Sequence, residues 1–97
     1  MRLAEALRIL AEHREDLVQR HHVRELSIFG SVARDQAGPD SDVDLLVEFD
    51  RSVGLFAFAR LKLELERWLG RHVDLATRAA LHPRLRAGIL SEAIRAA

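Results

Sequence analysis

The sequence has no cysteine, no tyrosine, a single lysine (Lys62), two prolines and one tryptophan. Without cysteine there can be no disulfide, no thiolate-held zinc and no cysteine nucleophile. Without tyrosine the chain cannot be modified on its own tyrosines. No apolar run approaches the roughly 20 residues needed to span a bilayer. Arg2, Glu5 and Arg8 interrupt the first apolar residues, where a signal peptide needs a continuous stretch. The expectation is a cytoplasmic protein with no membrane partner. Charge of one sign is also missing: 15 basic residues offset 15 acidic ones and are scattered among them. No basic stripe marks a nucleic-acid backbone as the partner. The basic residues are nearly all arginine, whose planar fork suits carboxylates and phosphates, and so fits protein interfaces and nucleotides alike.

What is present describes a small globular chain. It has 97 residues, 48% of them hydrophobic, enough for one domain over 1–97 and too few for a second core. A domain of this size buries only about two-thirds of its unfolded surface, which favours modest stability or help from a partner or a second copy.

Leu3, Leu7, Leu10, Leu17 and His21 recur at helical steps, with Arg14 filling the gap, and predict an amphipathic helix over 2–21. Glu25–Phe29 reads as a strand, with Leu26 and Ile28 on one face, and stops at Gly30-Ser31. Ser31 suits an N-cap for a short helix over Val32–Gln36. Gly38-Pro39-Asp40-Ser41 is a loop. In Val43–Phe49, Val43, Leu45, Val47 and Phe49 alternate with Asp44, Leu46 and Glu48, the strongest strand pattern in the chain. Leu55–Leu69 is helical, with Phe58, Leu61, Leu65 and Trp68 on one face and Gly70 as C-cap. Glu64 and Glu66 read as a solvated face, and the five histidines as surface or capping residues. His72–Ala76 is a short strand, and His82-Pro83 opens a last helix whose apolar face is Leu85, Ile89, Ala93 and Ile94. The order α-β-α-β-α-β-α predicts an α/β (α+β) fold, a small mixed sheet of three or more strands packed with helices. The link between the first two strands is at the lower limit for a parallel crossover.

The chemistry gathers around acids. Asp42 and Asp44 are two residues apart at the start of the best strand, so they point to the same face with Cα atoms about 7 Å apart. Two adjacent carboxylates repel, and a divalent cation with open coordination sites, such as Mg²⁺, relieves the repulsion. Asp74 lies between the apolar Val73 and Leu75 in a later strand. If that strand neighbours the second, three carboxylates meet at one end of the sheet, as two-metal phosphoryl or nucleotidyl transfer requires. Gly30-Ser31, at a strand-to-helix turn, offers close backbone approach, N–H groups and a hydroxyl to a phosphate. His72 is two residues from Asp74 and within possible reach of the same site.

The stretch GSVARDQAGPDSDVDLLV, Gly30 to Val47, resembles the signature of the minimal nucleotidyltransferases, a branch of the DNA polymerase β-like superfamily. That signature is Gly-Ser, ten residues, Asp-x-Asp and a third acid in a later strand. It is matched here by Gly30, Ser31, Asp42, Asp44 and Asp74, with Ala33-Arg34 and Ser41-Asp42 also agreeing. The resemblance extends over nearly the whole chain. Asp35 departs from it, standing where many members have glycine, and this bears on the loop path rather than on the acids. The resemblance implies that Gly30, Ser31, Arg34 and Ser41 bind the nucleotide triphosphate. It implies that Asp42, Asp44 and Asp74 ligate two Mg²⁺ (or Mn²⁺), and that Asp74 helps deprotonate the attacking hydroxyl. It further implies ATP as substrate, AMP as the group transferred, and a HEPN-domain toxin as partner, with this chain as its antitoxin. Two other readings remain. One is a catalytically weak or inactive nucleotide-binding antitoxin that neutralises its partner by binding alone. The other is a small-molecule nucleotidyltransferase, for which the acceptor-holding domain of such enzymes is missing here unless a homo-oligomer builds the pocket.

Overall fold

A computed structural model describes residues 1–97. Its elements are α1 (Leu3–Glu12), α2 (Arg14–Gln19), β1 (Val23–Phe29), α3 (Gly30–Ala33), β2 (Val43–Phe49), α4 (Leu55–Leu69), β3 (Val73–Thr77), α5 (Pro83–Glu92) and β4 (Ile94–Arg95), with a 3₁₀ turn at Arg78–Ala80. The four strands form one mixed sheet in the order β3-β2-β1-β4. β1 runs antiparallel to β2 and β4, whereas β2 and β3 are parallel. No helix is long and apolar enough to cross a membrane.

Strand alternation divides the sheet into two faces. Leu26, Ile28, Val43, Leu45, Val47, Val73 and Leu75 turn inward and pack with Ala6 and Leu10 of α1, Leu17 of α2, and Leu61, Leu65 and Leu69 of α4. The alternate positions of β2 (Asp44, Leu46, Glu48) belong to the other face. Bounds for β2 and α4 agree with the sequence pattern, and Gly70 ends α4 in the left-handed conformation (φ 66°) expected of a glycine C-cap.

Several expectations are corrected. The helix over 2–21 is two helices, broken at His13 (φ −108°, ψ 15°), whose ring stacks on Trp68 with centroids 4.0 Å apart. The break thus falls at the residue held by this tertiary contact, with no glycine or proline there. Ser31 is not an N-cap: α3 begins at Gly30, two residues earlier than expected, and ends at Ala33 because Asp35 turns left-handed (φ 54°). β1 begins at Val23, and β3 runs Val73–Thr77, one residue later than expected. α5 ends at Glu92 and Ile94 is not on its apolar face. Ile94 and Arg95 instead pair with Ile28 and Ser27 as β4. A long-range sheet edge overrides local helical preference there. Leu85 of α5 is exposed.

His21 and the two glutamates differ in environment from expectation. His21 is buried at 7% exposure, edge-on to Trp68, with Nε2 lacking a partner. Burial pushes its pKa below the ordinary value. Glu64 pairs with Arg67 at 2.7 Å and with Arg20 at 3.4 Å. The Val73 N–H donates to Oε2 of Glu66 at 2.9 Å, a bond that holds the carboxyl below its usual pKa and fixes the start of β3.

Candidate active site

The parallel register of β2 and β3 sets Val43 opposite Val73, Asp44 opposite Asp74 and Leu45 opposite Leu75. The condition left open by the sequence is therefore met, because β3 neighbours β2 directly. Asp44 and Asp74 share a face, since paired residues in a ladder point the same way. Asp42 lies two residues before Asp44, and the Val43 N–H donates to the His72 carbonyl at 2.9 Å, tying the acid-bearing ends of the two strands together. Burial raises the pKa of Asp44, and the Asp74 and Asp42 carboxylates raise it further, while Arg34 opposes them. The three acids thus form one electrostatic unit. No group of three or more His, Asp or Glu side chains stands arranged to hold a metal ion.

Gly30 stands against this unit. Phe29 is paired with Asp44 across β1 and β2, so the residue after Phe29 turns over the Asp44 carboxyl. A Cβ on residue 30 would overlap Asp44 Oδ2, and φ is 71°. Glycine is required there on both counts.

Arg34 and Ser41, also expected in the site, are engaged by partners of their own. Arg34 Nη1 donates to both carboxylate oxygens of Glu92, at 3.2 and 2.9 Å, and Nε donates to Gln36 Oε1 at 3.2 Å. The Gly30 N–H donates to Glu92 Oε1 at 3.0 Å. These bonds, that of Gly30 foremost, hold Glu92 below its usual pKa. The Ser41 hydroxyl accepts the Gly38 N–H at 2.9 Å and closes the loop ahead of Asp42. The His72 ring lies 3.5 Å from Glu66 rather than among the aspartates. Glu92 is the residue that sequence reading missed. It lies 62 positions from Gly30, and no local pattern announces such a contact.

Beyond Asp44 the same face of the sheet opens into a cleft. Ser27, Leu46, Glu48 and Arg95 line its floor, and Phe58, Arg78 and Leu90 its walls. Gly30, Asp42, Asp44 and Asp74 are not among the residues that line it.

Asp42 just ahead of β2, Asp44 within it, Asp74 facing Asp44 on the parallel neighbour and the glycine turn over Asp44 thus gather at one end of a small mixed sheet. Comparisons with known proteins give the family. A family model described as Nucleotidyltransferase domain matches residues 10–96. The protein adenylyltransferase MntA of Thermococcus cleftensis is 39% identical over 92 residues, 95% of this chain and 93% of that protein. A solved structure assigned to the minimal nucleotidyltransferases has 48% identity and a TM-score of 0.80, covering 97% of this chain and 95% of its own. A chain from the complex of tri-AMPylated Shewanella oneidensis HEPN toxin with MNT antitoxin shares the fold at TM-score 0.65, with 16% identity over 94% of this chain and 71% of that one. This chain belongs to the nucleotidyltransferase family.

Proposed function

We propose that this nucleotidyltransferase moves AMP from ATP to a hydroxyl on a partner protein, and that the partner is a HEPN-domain toxin which it restrains as an antitoxin. The observation that carries the reading is the Asp44–Asp74 opposition beneath Gly30. The adenylyltransferase relative, which matches almost end to end, supports the choice of AMP. The toxin–antitoxin complex that shares the fold supports the choice of partner.

Asp42, Asp44 and Asp74 suit divalent ions. The ionised form of Asp44 is disfavoured by burial and by both neighbouring carboxylates, a strain that Mg²⁺ or Mn²⁺ relieves. Mg²⁺ commonly takes its remaining ligands from substrate phosphates and water. When bound, two such ions supply positive charge to the attacking and leaving oxygens. The chain's own part is orientation and proton handling. Asp74 accepts the proton of the acceptor hydroxyl. The acceptor oxygen bonds to the α-phosphorus as the α–β bridging oxygen departs with pyrophosphate. Gly30 contributes chiefly by having no side chain, since its N–H is already bonded to Glu92. Ser31 and Arg34 are left to meet the phosphates, with Ser41 fixing the loop before Asp42.

A second reading has an observation of its own. Leu55, Phe56 and Leu63 of α4 are 79%, 83% and 65% exposed, an apolar surface suited to silencing a partner by contact alone. Intact-mass spectrometry separates the two. With ATP, Mg²⁺ and its cognate partner, the parent chain should add the mass of one or more AMP groups to that partner. Equal neutralisation by an Asp42→Asn, Asp44→Asn double variant, with no added mass, would replace the enzyme reading with the contact reading.

A further inference from the structure

Arg34 is gripped from two sides and still has capacity to spare. Nη1 is used by both oxygens of Glu92 and Nε by Gln36. A guanidinium has five N–H donors in a fixed fork, so the Nη2 pair remains outside these contacts. The side chain is about half exposed, while Glu92 is less so at 29%. Arg34 is also near enough for its charge to act on Asp44. The same Glu92 oxygen that takes Nη1 takes the Gly30 N–H. One carboxylate from α5 thus ties the glycine turn to the arginine that follows it, beside the aspartates.

We infer that Glu92 is a positioning residue of the transfer site: it aims the free edge of Arg34 at the substrate's phosphates and holds the Gly30 turn over Asp44. The inference rests on the phosphate role proposed for Arg34. A long arginine side chain loses much rotamer freedom on binding an anion, and a charge-assisted clamp on Nη1 removes part of that freedom in advance. Without the clamp, Arg34 is free to turn toward the Asp44 carboxylate, which already feels its charge. An arginine collapsed onto Asp44 would oppose both metal and substrate. Glu92 touches neither the substrate nor the reacting atoms, and it acts through Arg34.

A double-mutant cycle on anion binding tests this, with inorganic tripolyphosphate as the probe and calorimetry as the measurement. Glu92→Gln keeps an acceptor for the Gly30 N–H but loses the charged clamp. It should weaken tripolyphosphate binding about fivefold in the parent and less than about twofold in an Arg34→Ala background, the non-additivity expected of residues in contact. In the transfer assay, E92Q should raise KM for ATP more than it lowers kcat. Should E92Q fold poorly, Glu92→Asp retains the charge but retracts it by one methylene, and the same cycle applies. Equal losses in both backgrounds would reduce Glu92 to a structural tie. Tighter binding by E92Q would make it a competitor of phosphate. Absence of tripolyphosphate binding by the parent would leave Arg34 nothing to be aimed at. Each of these overturns the inference. Coupled tripolyphosphate binding without AMP transfer would uphold it, and would defeat the transfer reading alone.

Discussion

Gly30 and Asp44 compete for one volume: a Cβ at position 30 would sit 3.0 Å from Asp44 Cγ and 3.2 Å from its Cβ, and would overlap Oδ2. Gly30→Ala must therefore displace the carboxylate as well as strain a backbone at φ 71°. The left-handed strain alone costs about 1–2 kcal/mol. Gly70 is the natural control, since it has nearly the same φ, 66°, but a Cβ there meets nothing within 4 Å. Both variants should melt several degrees below the parent. Only Gly30→Ala should also lose AMP transfer, by about 10²-fold or more. Equal transfer losses in the two would mean that Gly30 matters for folding alone.

The carboxylates should separate stability from activity. Asp44 is disfavoured as an anion by burial and by Asp74 and Asp42, so Asp44→Asn should leave metal-free melting unchanged or raise it. The same substitution should cut transfer by at least about 10²-fold. Asp74→Asn should damage transfer more than nucleotide binding, because its proposed work lies with the acceptor hydroxyl. A metal-free loss of several degrees in Asp44→Asn, read by calorimetry, would instead make Asp44 a structural residue.

Which parts of this site could be read from sequence follows from how local each signal is. Alternation in Val43–Phe49 announces its own strand, and the helical repeat in Leu55–Leu69 its own helix, because both periods arise from backbone geometry. Asp42 and Asp44 are legible because they flank the first residue of a single strand, Asp42 just ahead of it and Asp44 within it. Asp74 became a partner only through the β2–β3 pairing, which sequence could pose as a condition but not decide. Glu92, His13 and Ile94 are set by contacts with residues far along the chain, namely Gly30, Trp68 and Ile28. No local pattern encodes such contacts. Hence the clamp, the helix break and the fourth strand went unforeseen.

His21 gives the fold a predictable response to acid. Its pKa is lowered, mainly by burial and secondarily by Arg20 and Arg60, while Glu64 and Asp16 pull the other way. The unfolded chain therefore binds this proton more readily than the folded one, and stability rises with pH while that difference persists. The contribution is complete above about 6.5, the ordinary histidine value. It declines as pH falls from there toward the lower folded value, and is then constant. His21→Phe keeps an aromatic ring against Trp68 and removes the titration. Melting curves from pH 8 to 5 should show the parent losing more stability than the variant below about 6.5. Parallel curves would mean that His21 takes up its proton freely in the folded chain.

Asp35 stands in a left-handed conformation, φ 54°, at a position where glycine would be unstrained. Its carboxylate nevertheless has work to do, since Oδ1 accepts the N–H of Leu3 at 2.8 Å. This bond ties the start of α1 to the loop after α3, across 32 positions of sequence. Asp35→Gly loses that bond, of about 1 kcal/mol, and recovers a similar amount of backbone strain, so stability should change little. Asp35→Ala loses the bond and keeps the strain. It should therefore be the less stable of the two by about 1 kcal/mol or more, several degrees in melting temperature for a chain of this size. Asp35→Asn, which tolerates the left-handed region and still offers an acceptor, should stay near the parent. Denaturant titration of the three variants supplies the order. If Ala equals Gly, position 35 carries no backbone strain in solution, and the loop leading to Asp42 follows a different path.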